Sequence, residues 1–558
     1  MEFNNHIKQP LLAALALNGI FLIVGVILKG GNYCSLDDFF MASVMTGAYG
    51  GGLDPHLYFV NVIYGYILMP YYTLFPSVGW YGIFETFSIF VSFTAITYVL
   101  LKQFNKKFGI TLSLLLLSCV SCDFYLKVAF TQCAAALTAS GIVLFSRGTS
   151  WKNRVCLYLG VILMVGGFVL RKEMFLLGLP TLGILLGLEF LRERKIWLPS
   201  VIALVVLVVA VAGLKVFDAN HYKSNGYDYY AAYQPVRALF GDGAYYDGDG
   251  VFDEMCERGM VARDYRYLSS WYFYDRDVFS IDSLQPIIEI VKRNTYVPNY
   301  VKMPAAVVHS ISDYILRPVV WCWAFICILL LLSRDRIRIS LPWCSLFIVG
   351  LSYLYLLLVN RVVSHVEAGI WMYATIMLVP YIDINVFRGK VGDKLFLATI
   401  VFILMGFFLA GVGTFFDKDS KKSELEVYDH LPNWDRFLEY AESHPNDVFL
   451  LPFDRYKHLA AITGNPYKAT PSGSFQNIFS TGYWNIYLPE MERQMNKRGV
   501  QNMFRDIKND NVFVLSEETS MSFAPFYADH YHEILKIDTL QSFGDMFLLK
   551  YRSVGGEE

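Results

Sequence analysis

Apolar runs long enough to cross a lipid bilayer recur along almost the whole of this 558-residue chain. A transmembrane helix needs about 20 consecutive, mainly apolar residues, and short polar or basic segments separate the runs seen here. Composition agrees, since 55% of the residues are hydrophobic and only 17% are charged. The pattern predicts a polytopic α-helical membrane protein with about eleven transmembrane helices. These lie at 11–28, 81–101, 109–122, 128–146, 155–170, 174–190, 196–216, 318–333, 340–359, 368–386 and 395–415.

One further apolar stretch, from His56 to Phe75, decides the direction of every later span. Counting it as a span would place Lys102, Lys106 and Lys107 outside and would reverse the later basic loops with them. Treating it as an amphipathic or re-entrant helix on the outer surface keeps all the basic clusters on one side, as the positive-inside rule requires. Its many tyrosines also suit an interfacial helix. We therefore expect a multi-pass protein with a cytoplasmic N-terminus and an extracytoplasmic C-terminus.

Three long segments fall on the outer side in this topology: a loop at 30–80, a loop at 218–317 and the segment after the last span. We divide the chain into a transmembrane domain at 1–416 and an extracytoplasmic domain at 417–558. The second domain is far more polar, and its short apolar runs VFLLPF, NVFVL and MFLLKY indicate strands between helical patterns. It is predicted to be a small α/β domain. No small-residue cleavage site follows 11–28, so we expect this run to remain as an anchor.

Charge and cysteine usage narrow the class of protein further. A formal net charge of −2 provides no basic excess to neutralise phosphates, so we expect no nucleic-acid partner. Most of the nine cysteines lie inside apolar runs, where a cysteine behaves as a small buried hydrophobe. The acidic stretch that begins at Asp247 fails the EF-hand pattern, because Phe252 stands where glycine is required. The sequence requires no cofactor and predicts no metal ligand, and a divalent cation (Mg, Mn or Ca) stays an open alternative.

Charged residues at the ends of separate spans are the candidates for chemistry. Asp37 and Asp38 follow the first span, and Arg171, Lys172 and Glu173 interrupt two apolar runs at their outer ends. Charged groups at this depth are functional candidates when they face a cavity, although arginines at helix ends also reach out to lipid headgroups. A third group lies between two later spans and comprises Asn360, Arg361, His365 and Glu367.

Acidic and basic groups from three loops thus share one face of the predicted membrane. That layout is typical of an interfacial site for a lipid-linked anionic substrate. The aspartates have a second interpretation, in which two solvated loop carboxylates cap a helix that begins at Phe39.

The order of these features resembles the GT-C superfamily of polytopic glycosyltransferases. The members it resembles take a sugar from a polyprenyl-phosphate carrier and have an Asp-Asp or Asp-Glu motif in the first outer loop, which Asp37-Asp38 matches. They often have a Lys or Arg at the outer turn after the fifth span, which Arg171-Lys172 matches. The stretch PHLYFVNVIYGYILMPYYTLFPSVGWYG is similar to the second half of that loop in bacterial cell-surface glycan enzymes. The resemblance covers the first half of the chain and the topology of the rest.

The resemblance implies an inverting glycosyltransferase, either a hexosyl- or a pentosyltransferase. It would move a sugar from a polyprenyl-phosphate carrier to a cell-surface glycan or a lipid-linked acceptor on the extracytoplasmic side. Such an enzyme would serve cell wall or polysaccharide biosynthesis. The same resemblance implies that it lies in a bacterial plasma membrane, with membrane lipid as a further partner.

The chemistry of glycosyl transfer suggests roles for the charged residues. A carboxylate beside the anomeric carbon can deprotonate the acceptor hydroxyl, so we expect either Asp37 or Asp38 to be the base. The other aspartate would orient the base, hold the acceptor or bind a cation. A leaving phosphate gains negative charge and needs fixed cations nearby. The predicted donor phosphate-binding residues are Arg171, Lys172 and Arg361. The predicted substrate-binding residues are His56, Glu173, His365 and Glu367.

Three other functions stay open. A transporter or flippase for lipid-linked oligosaccharides tends to show paired broken helices and acidic residues in the middle of spans, and the sequence indicates neither. A polymerase of lipid-linked oligosaccharides would need cations for phosphate but no acidic pair directly after the first span. A non-catalytic scaffold would use its C-terminal domain as a binding module.

Overall fold

The computed structural model describes residues 2–29, 33, 35–241, 247–295, 303–333, 335–359, 362–387, 389–416, 432–516 and 521–554. Helices dominate it, and a helical segment overlaps each of the eleven predicted spans. Within the described residues, six helical segments are long and apolar enough to cross a membrane, by length and composition. These are Gln9–Ile27, Trp80–Gln103, Lys106–Leu126, Lys172–Glu193, Leu198–Ser224 and Arg336–Leu358. They support a membrane location, while the count of eleven spans and the orientation of the termini stay predictions.

The helices of the first half of the chain are α1 (Glu2–Lys29), α2 (Leu36–Met45), α3 (Val62–Leu74), α4 (Trp80–Gln103), α5 (Lys106–Leu116), α6 (Cys122–Leu126), α7 (Phe130–Ser150), α8 (Arg154–Leu170), α9 (Lys172–Glu193), α10 (Leu198–Ser224) and α11 (Asp228–Gly241). A π-helical segment, Leu117–Ser121, joins α5 to α6. The next helices are α12 (Gly248–Glu257), α13 (Arg263–Ser269), α14 (Gln285–Arg293), α15 (Met303–Tyr314), α16 (Pro318–Leu331), α17 (Arg336–Leu358), α18 (Ser364–Leu378) and α19 (Gly389–Phe416).

Helix α7 is the centre of the helical part, because every residue from Phe130 to Gly148 is buried. Its sequence is rich in Ala, Ser, Thr and Gly, which allow helix backbones to approach closely. A Cβ atom added to Gly141 would lie 2.7 Å from the carbonyl oxygen of Gly160 on α8. Small residues therefore hold α7 against α8, and the first turn of α7 lies inside the molecule.

The C-terminal region contains a five-stranded sheet in the order β2-β1-β3-β5-β4. Its strands are β1 (Val448–Leu451), β2 (Ile478–Ser480), β3 (Val512–Ser516), β4 (Leu535–Phe543) and β5 (Met546–Ser553). β1 pairs in parallel with β2 and β3, whereas β5 pairs antiparallel with β3 and β4. Its helices are α20 (432–443), α21 (Phe453–Thr463), α22 (Pro489–Lys497) and α23 (Ala524–His530). The three apolar runs predicted as strands form β1, β3 and β5, and the boundary of a separate domain stays a prediction.

The three segments predicted on the outer side contact one another. The amide of Phe475 donates to the carbonyl of Ala48 (2.7 Å), which joins the C-terminal region to the first loop. The amide of Phe273 donates to the carbonyl of Thr481 (3.0 Å), which joins it to the second loop. A side chain on Gly79 would overlap the carbonyl oxygen of Pro466, so the first loop and the C-terminal region pack backbone to backbone. Both loops and the sheet therefore lie together at one end of the helices.

The loop at 30–80 contains two helices, α2 and α3, and the sequence predicted the start of α2 incorrectly. The stretch from His56 to Phe75 contains α3, whose 13 residues span about 20 Å and are too short for a hydrocarbon core of about 30 Å. The prediction that a helix begins at Phe39 is wrong. Helix α2 begins at Leu36, and the side chain of Ser35 caps it by accepting from the amide of Asp37 (3.1 Å).

Candidate active site

Asp37 and Asp38 occupy the first turn of α2, and their carboxylates have different partners. Asp37 is half-buried and accepts a hydrogen bond from the hydroxyl of Tyr483 (2.5 Å). Asp38 is fully buried, and its Oδ1 accepts from the hydroxyl of Tyr81 (2.8 Å) and from the amide of Phe130 (3.3 Å). Neighbours on a helix point about 100° apart, which sends one carboxylate towards the C-terminal region and the other towards α4 and α7.

The environment of Asp38 disfavours its charged form. Burial raises the pKa of the Asp38 carboxyl to about 6, while hydrogen bonds from Glu85 and Tyr81 act to lower it. The charge of the neighbouring Asp37 raises the same pKa. Glu85 lies on α4, is only 1% exposed and contacts Asp38, so two carboxyl groups meet inside the protein. Four tyrosines lie around this pair, namely Tyr33, Tyr64, Tyr72 and Tyr81.

Glu85 was not among the residues predicted from the sequence. The signal for it is a lone carboxylate just over one turn inside an apolar run, WYGIFETFSIF, and ionisable residues within spans are functional candidates by default. The run was long enough to be assigned as a span, and that assignment concealed the carboxyl group in it that contacts Asp38.

A cavity of about 90 Å³ opens beside the start of α2. Lys127 and Arg317 line it with positive charge, His365 lines it too, and Asp123 is the one carboxylate among its described lining residues. Three helices begin at its wall: α2 after Ser35, α7 after Ala129 and α18 at Ser364. The first amides of a helix carry partial positive charge and bind anions. Cationic side chains and helix N-termini together make this cavity suited to an anion such as a phosphate.

Two of the predicted phosphate-binding residues, Arg171 and Lys172, are absent from the described wall of this cavity. Arg171 places its guanidinium over the rings of Phe59 (5.4 Å) and Phe130 (5.1 Å). Its Nε lies 3.0 Å from Glu173 Oε2, and the exposed Lys172 lies 3.8 Å from the other oxygen of Glu173. Glu173 is therefore the ion-pair partner of both cations. The remaining predicted residue of this group, Arg361, lies outside the described residues.

The other predicted substrate-binding residues separate into three places. His365 lines the cationic cavity. Glu367 is buried two residues later and accepts from the hydroxyl of Tyr353 (2.8 Å), so it faces neighbouring helices. His56 lies at the opposite end of α2, in the wall of a second cavity of about 200 Å³. Lys127 and Arg317 were missed because each is a single basic residue at a span end, and single basic residues there commonly reach to lipid headgroups.

His56 belongs to a chain of hydrogen-bonded side chains. Its Nδ1 lies 2.7 Å from Asp54 Oδ1, and its Nε2 lies 3.1 Å from Nδ1 of His221. Its ring stacks on Tyr227 at 3.7 Å between ring centres, and the hydroxyl of Tyr227 donates to Asp54 Oδ2. Every polar atom of the His56 side chain is thus bound within the protein.

Within the described parts of the chain, no group of three or more His, Cys, Asp or Glu side chains is placed to hold a metal ion. The acidic stretch at Asp247 forms the start of a helix, because α12 begins at Gly248. The divalent-cation alternative stays a prediction.

Fold and site together define a class: a mainly helical protein with candidate membrane spans, in which a C-terminal region with a small sheet contacts Asp37 and a cationic cavity opens beside the start of α2. No protein-family model and no curated protein matches the chain. Its fold is similar to the crystal structure of ArnT from Cupriavidus metallidurans in the apo state, with a TM-score of 0.40 and 10% identity over 96% of this chain and 97% of that chain. A likeness at this low TM-score and identity assigns no role to any residue.

Proposed function

We propose that this protein is a membrane glycosyltransferase that moves a sugar from a polyprenyl-phosphate carrier to a glycan or lipid-linked acceptor. The observation that supports this proposal is that a carboxylate lies next to a cavity suited to an anion. Helix α2 begins at the cavity lined by Lys127 and Arg317, and its first turn carries Asp37. A transfer from a lipid phosphate needs both groups, because a base must activate the acceptor hydroxyl and fixed cations must stabilise the departing phosphate.

In this proposal the donor phosphate binds in the cationic cavity. Lys127 and Arg317 supply permanent charge, and the N-terminal ends of α2, α7 and α18 add the positive ends of three helix dipoles. In the predicted topology all these groups lie at the outer end of the helices, at the depth of lipid headgroups. Arg171 is a further cation close by, stacked on the ring of Phe130. The lipid tail would run down between the helices.

Asp37 is our choice for the base. It is half-buried and oriented by Tyr483, so an acceptor hydroxyl can reach it. Asp38 has no exposed surface, and it holds the first amide of α7 instead. Asp38 is therefore a positioning residue in this proposal, because it fixes the start of α7, and α7 borders the phosphate cavity.

The stereochemical proposal follows from the chemistry of the leaving group. A polyprenyl phosphate departs as a stable anion, so the reaction needs a base but no general acid. A single displacement by the activated hydroxyl inverts the anomeric carbon, whereas retention would need a carboxylate acting as the nucleophile. In this proposal the accessible carboxylate of Asp37 acts as a base towards the acceptor hydroxyl, which corresponds to the first course.

The test uses the purified protein in nanodiscs with a panel of polyprenyl-phosphate sugars, with and without divalent cations and crude acceptor lipid. Mass spectrometry follows the release of free polyprenyl phosphate and the transferred sugar. We expect one donor to be consumed by the wild type and by neither Asp37→Asn nor the double variant Lys127→Gln, Arg317→Gln. Release that persists in Asp37→Asn would refute the role of Asp37 as the base. Absence of release from every donor would favour transport, polymerisation or scaffolding.

A further inference from the structure

The larger cavity, of about 200 Å³, is separate from the aspartates. Val44 lines it at the end of α2, and Asp37 lies seven residues earlier, about 10 Å along the helix axis. A layer of rings fills the space between them. Tyr49 bonds Tyr456 through their hydroxyls, and Tyr456 packs against Tyr483 at 5.2 Å between ring centres. All three tyrosines are at most 3% exposed, and they connect Tyr49 in the cavity wall to Asp37, so buried rings fill the space between the cavity and this aspartate.

Glycines shape the rim of this cavity. Gly47 and Gly50 have φ values of +70° and +105°, which other residues rarely adopt. A Cβ atom on Gly51 would lie 2.8 Å from the carboxyl carbon of Glu490 on α22, so the loop packs directly against that helix. Gly52 is the exception, because a Cβ atom there would meet nothing within 4 Å. Its missing side chain therefore leaves open space at the cavity wall.

The polar groups at the cavity still have hydrogen-bonding capacity. A carboxylate has about four acceptor positions, and Asp54 uses three of them for the amide and ring of His56 and the hydroxyl of Tyr227. Glu490 accepts from Gln494 (2.7 Å) and pairs with Arg493, whose side chain is 66% exposed. The backbone amides of 51–54 donate no hydrogen bond to any group in the described part of the chain.

These groups combine to select a class of ligand. Acceptors and donors lie side by side, as the hydroxyls of a sugar require, and apolar surface from Val44, Leu53 and Leu488 can pack on its C–H groups. Two carboxylates, Asp54 and Glu490, face the single guanidinium of Arg493. That balance disfavours an acidic sugar, because a third negative charge would be repelled at short range.

We propose that this cavity is an accessory saccharide site that binds an uncharged sugar unit of the acceptor glycan. Because buried rings fill the space between this cavity and Asp37, the unit held here is not the unit that reacts at Asp37. The site would hold a distant part of a longer acceptor and so align it with the base. Its role rests on the proposed glycosyl transfer, whereas saccharide binding can be measured without any turnover.

The test is saturation-transfer NMR on the whole protein in nanodiscs, since detergents with sugar headgroups would compete. The probes are methyl glucoside, galactose and N-acetylglucosamine, with glucuronate as the acidic comparison. Gly52→Trp fills the open space at the rim, and Gly187→Trp on α9 is the matched control because its Cβ atom also meets nothing within 4 Å. We expect the dissociation constant of an uncharged sugar to rise about tenfold in Gly52→Trp and to stay unchanged in the control.

A second variant keeps the test independent of packing. Glu490→Gln retains the size of the side chain and removes one negative charge, so glucuronate should gain affinity relative to the uncharged sugars. The proposal is overturned if no uncharged sugar binds to the wild type, if Gly52→Trp binds as well as the control, or if glucuronate gains nothing in Glu490→Gln. Saccharide binding that follows the expected pattern, without turnover of any donor, would support the site and refute glycosyl transfer.

Discussion

The hydroxyl of Tyr483 donates a hydrogen bond to Asp37 across 446 residues of chain. Tyr483 follows strand β2, and its ring packs between Tyr456 and Phe453 in a buried aromatic layer. The charge of Asp37 in turn raises the pKa of the Tyr483 phenol, after the larger effect of burial. The C-terminal region therefore contacts the carboxylate of Asp37 directly, in addition to packing against the loop at 30–80.

Tyr483→Phe should reduce turnover without unfolding the protein. The ring keeps its packing, but Asp37 loses the donor that orients it, and the loss of one such bond costs about 1 kcal/mol. We expect kcat to fall about fivefold, measured as release of polyprenyl phosphate, with a small fall in Tm. Tyr456→Phe is the control, since it removes a hydroxyl from the same layer that bonds Tyr49. Equal losses of turnover in both variants would contradict a specific role for Tyr483.

The buried carboxyl of Asp38 should make stability depend on pH. Its pKa rises from 3.8 to about 6 on folding, so between these values the folded protein holds a proton that the unfolded chain releases. Stability from this group is therefore present at low pH and is lost as pH rises through this window, by at most about 3 kcal/mol. Asp38→Asn has no such charge. We expect the Tm of the variant, relative to wild type, to increase from about pH 4 to about pH 7, measured by thermal unfolding in nanodiscs. A constant difference would refute the raised pKa.

Glu85 should act through its hydrogen bond to Asp38. In Glu85→Gln the amide can still donate to Asp38, whereas Glu85→Leu removes the donor that lowers the pKa of Asp38. We expect Glu85→Leu to lose more Tm at about pH 7 than at about pH 5, because the charged form of Asp38 suffers most from the loss. Glu85→Gln should follow the wild type at both values. Equal losses at both pH values in the leucine variant would mean that Glu85 serves packing alone.

Lys127 and Arg317 should determine affinity for the donor. Neutralising either cation removes a charge-assisted contact to phosphate worth about 1.5–3 kcal/mol, which corresponds to an increase in donor Kd of about ten- to a hundredfold. Lys172→Gln is the control, because this exposed lysine faces Glu173 and lies outside the cavity wall. The measurement is donor binding at two salt concentrations. A larger effect of Lys172 than of Lys127 would restore the sequence-based choice of phosphate-binding residues.

The sequence alone determined the parts of this protein that depend on local patterns. Apolar runs predicted helical segments that the fold contains, the short runs at 448–453 and 546–551 predicted strands, and Asp37 and Asp38 were located at the end of the first span. Periodicity and length suffice for these predictions, because a helix forms its backbone hydrogen bonds within itself and a strand forms them with a neighbouring strand.

Only the tertiary structure decided which side chains meet. Tyr483 reaches Asp37, Glu85 reaches Asp38, and Lys127 and Arg317 line one cavity although 190 residues separate them in the printed sequence. Such contacts depend on how helices pack, and a single basic or acidic residue at a span end looks the same whether it faces lipid headgroups or a cavity. The sequence therefore identified Asp37 and Asp38, while packing gave their carboxylates different partners and brought Lys127 and Arg317 to the cavity at which α2 begins.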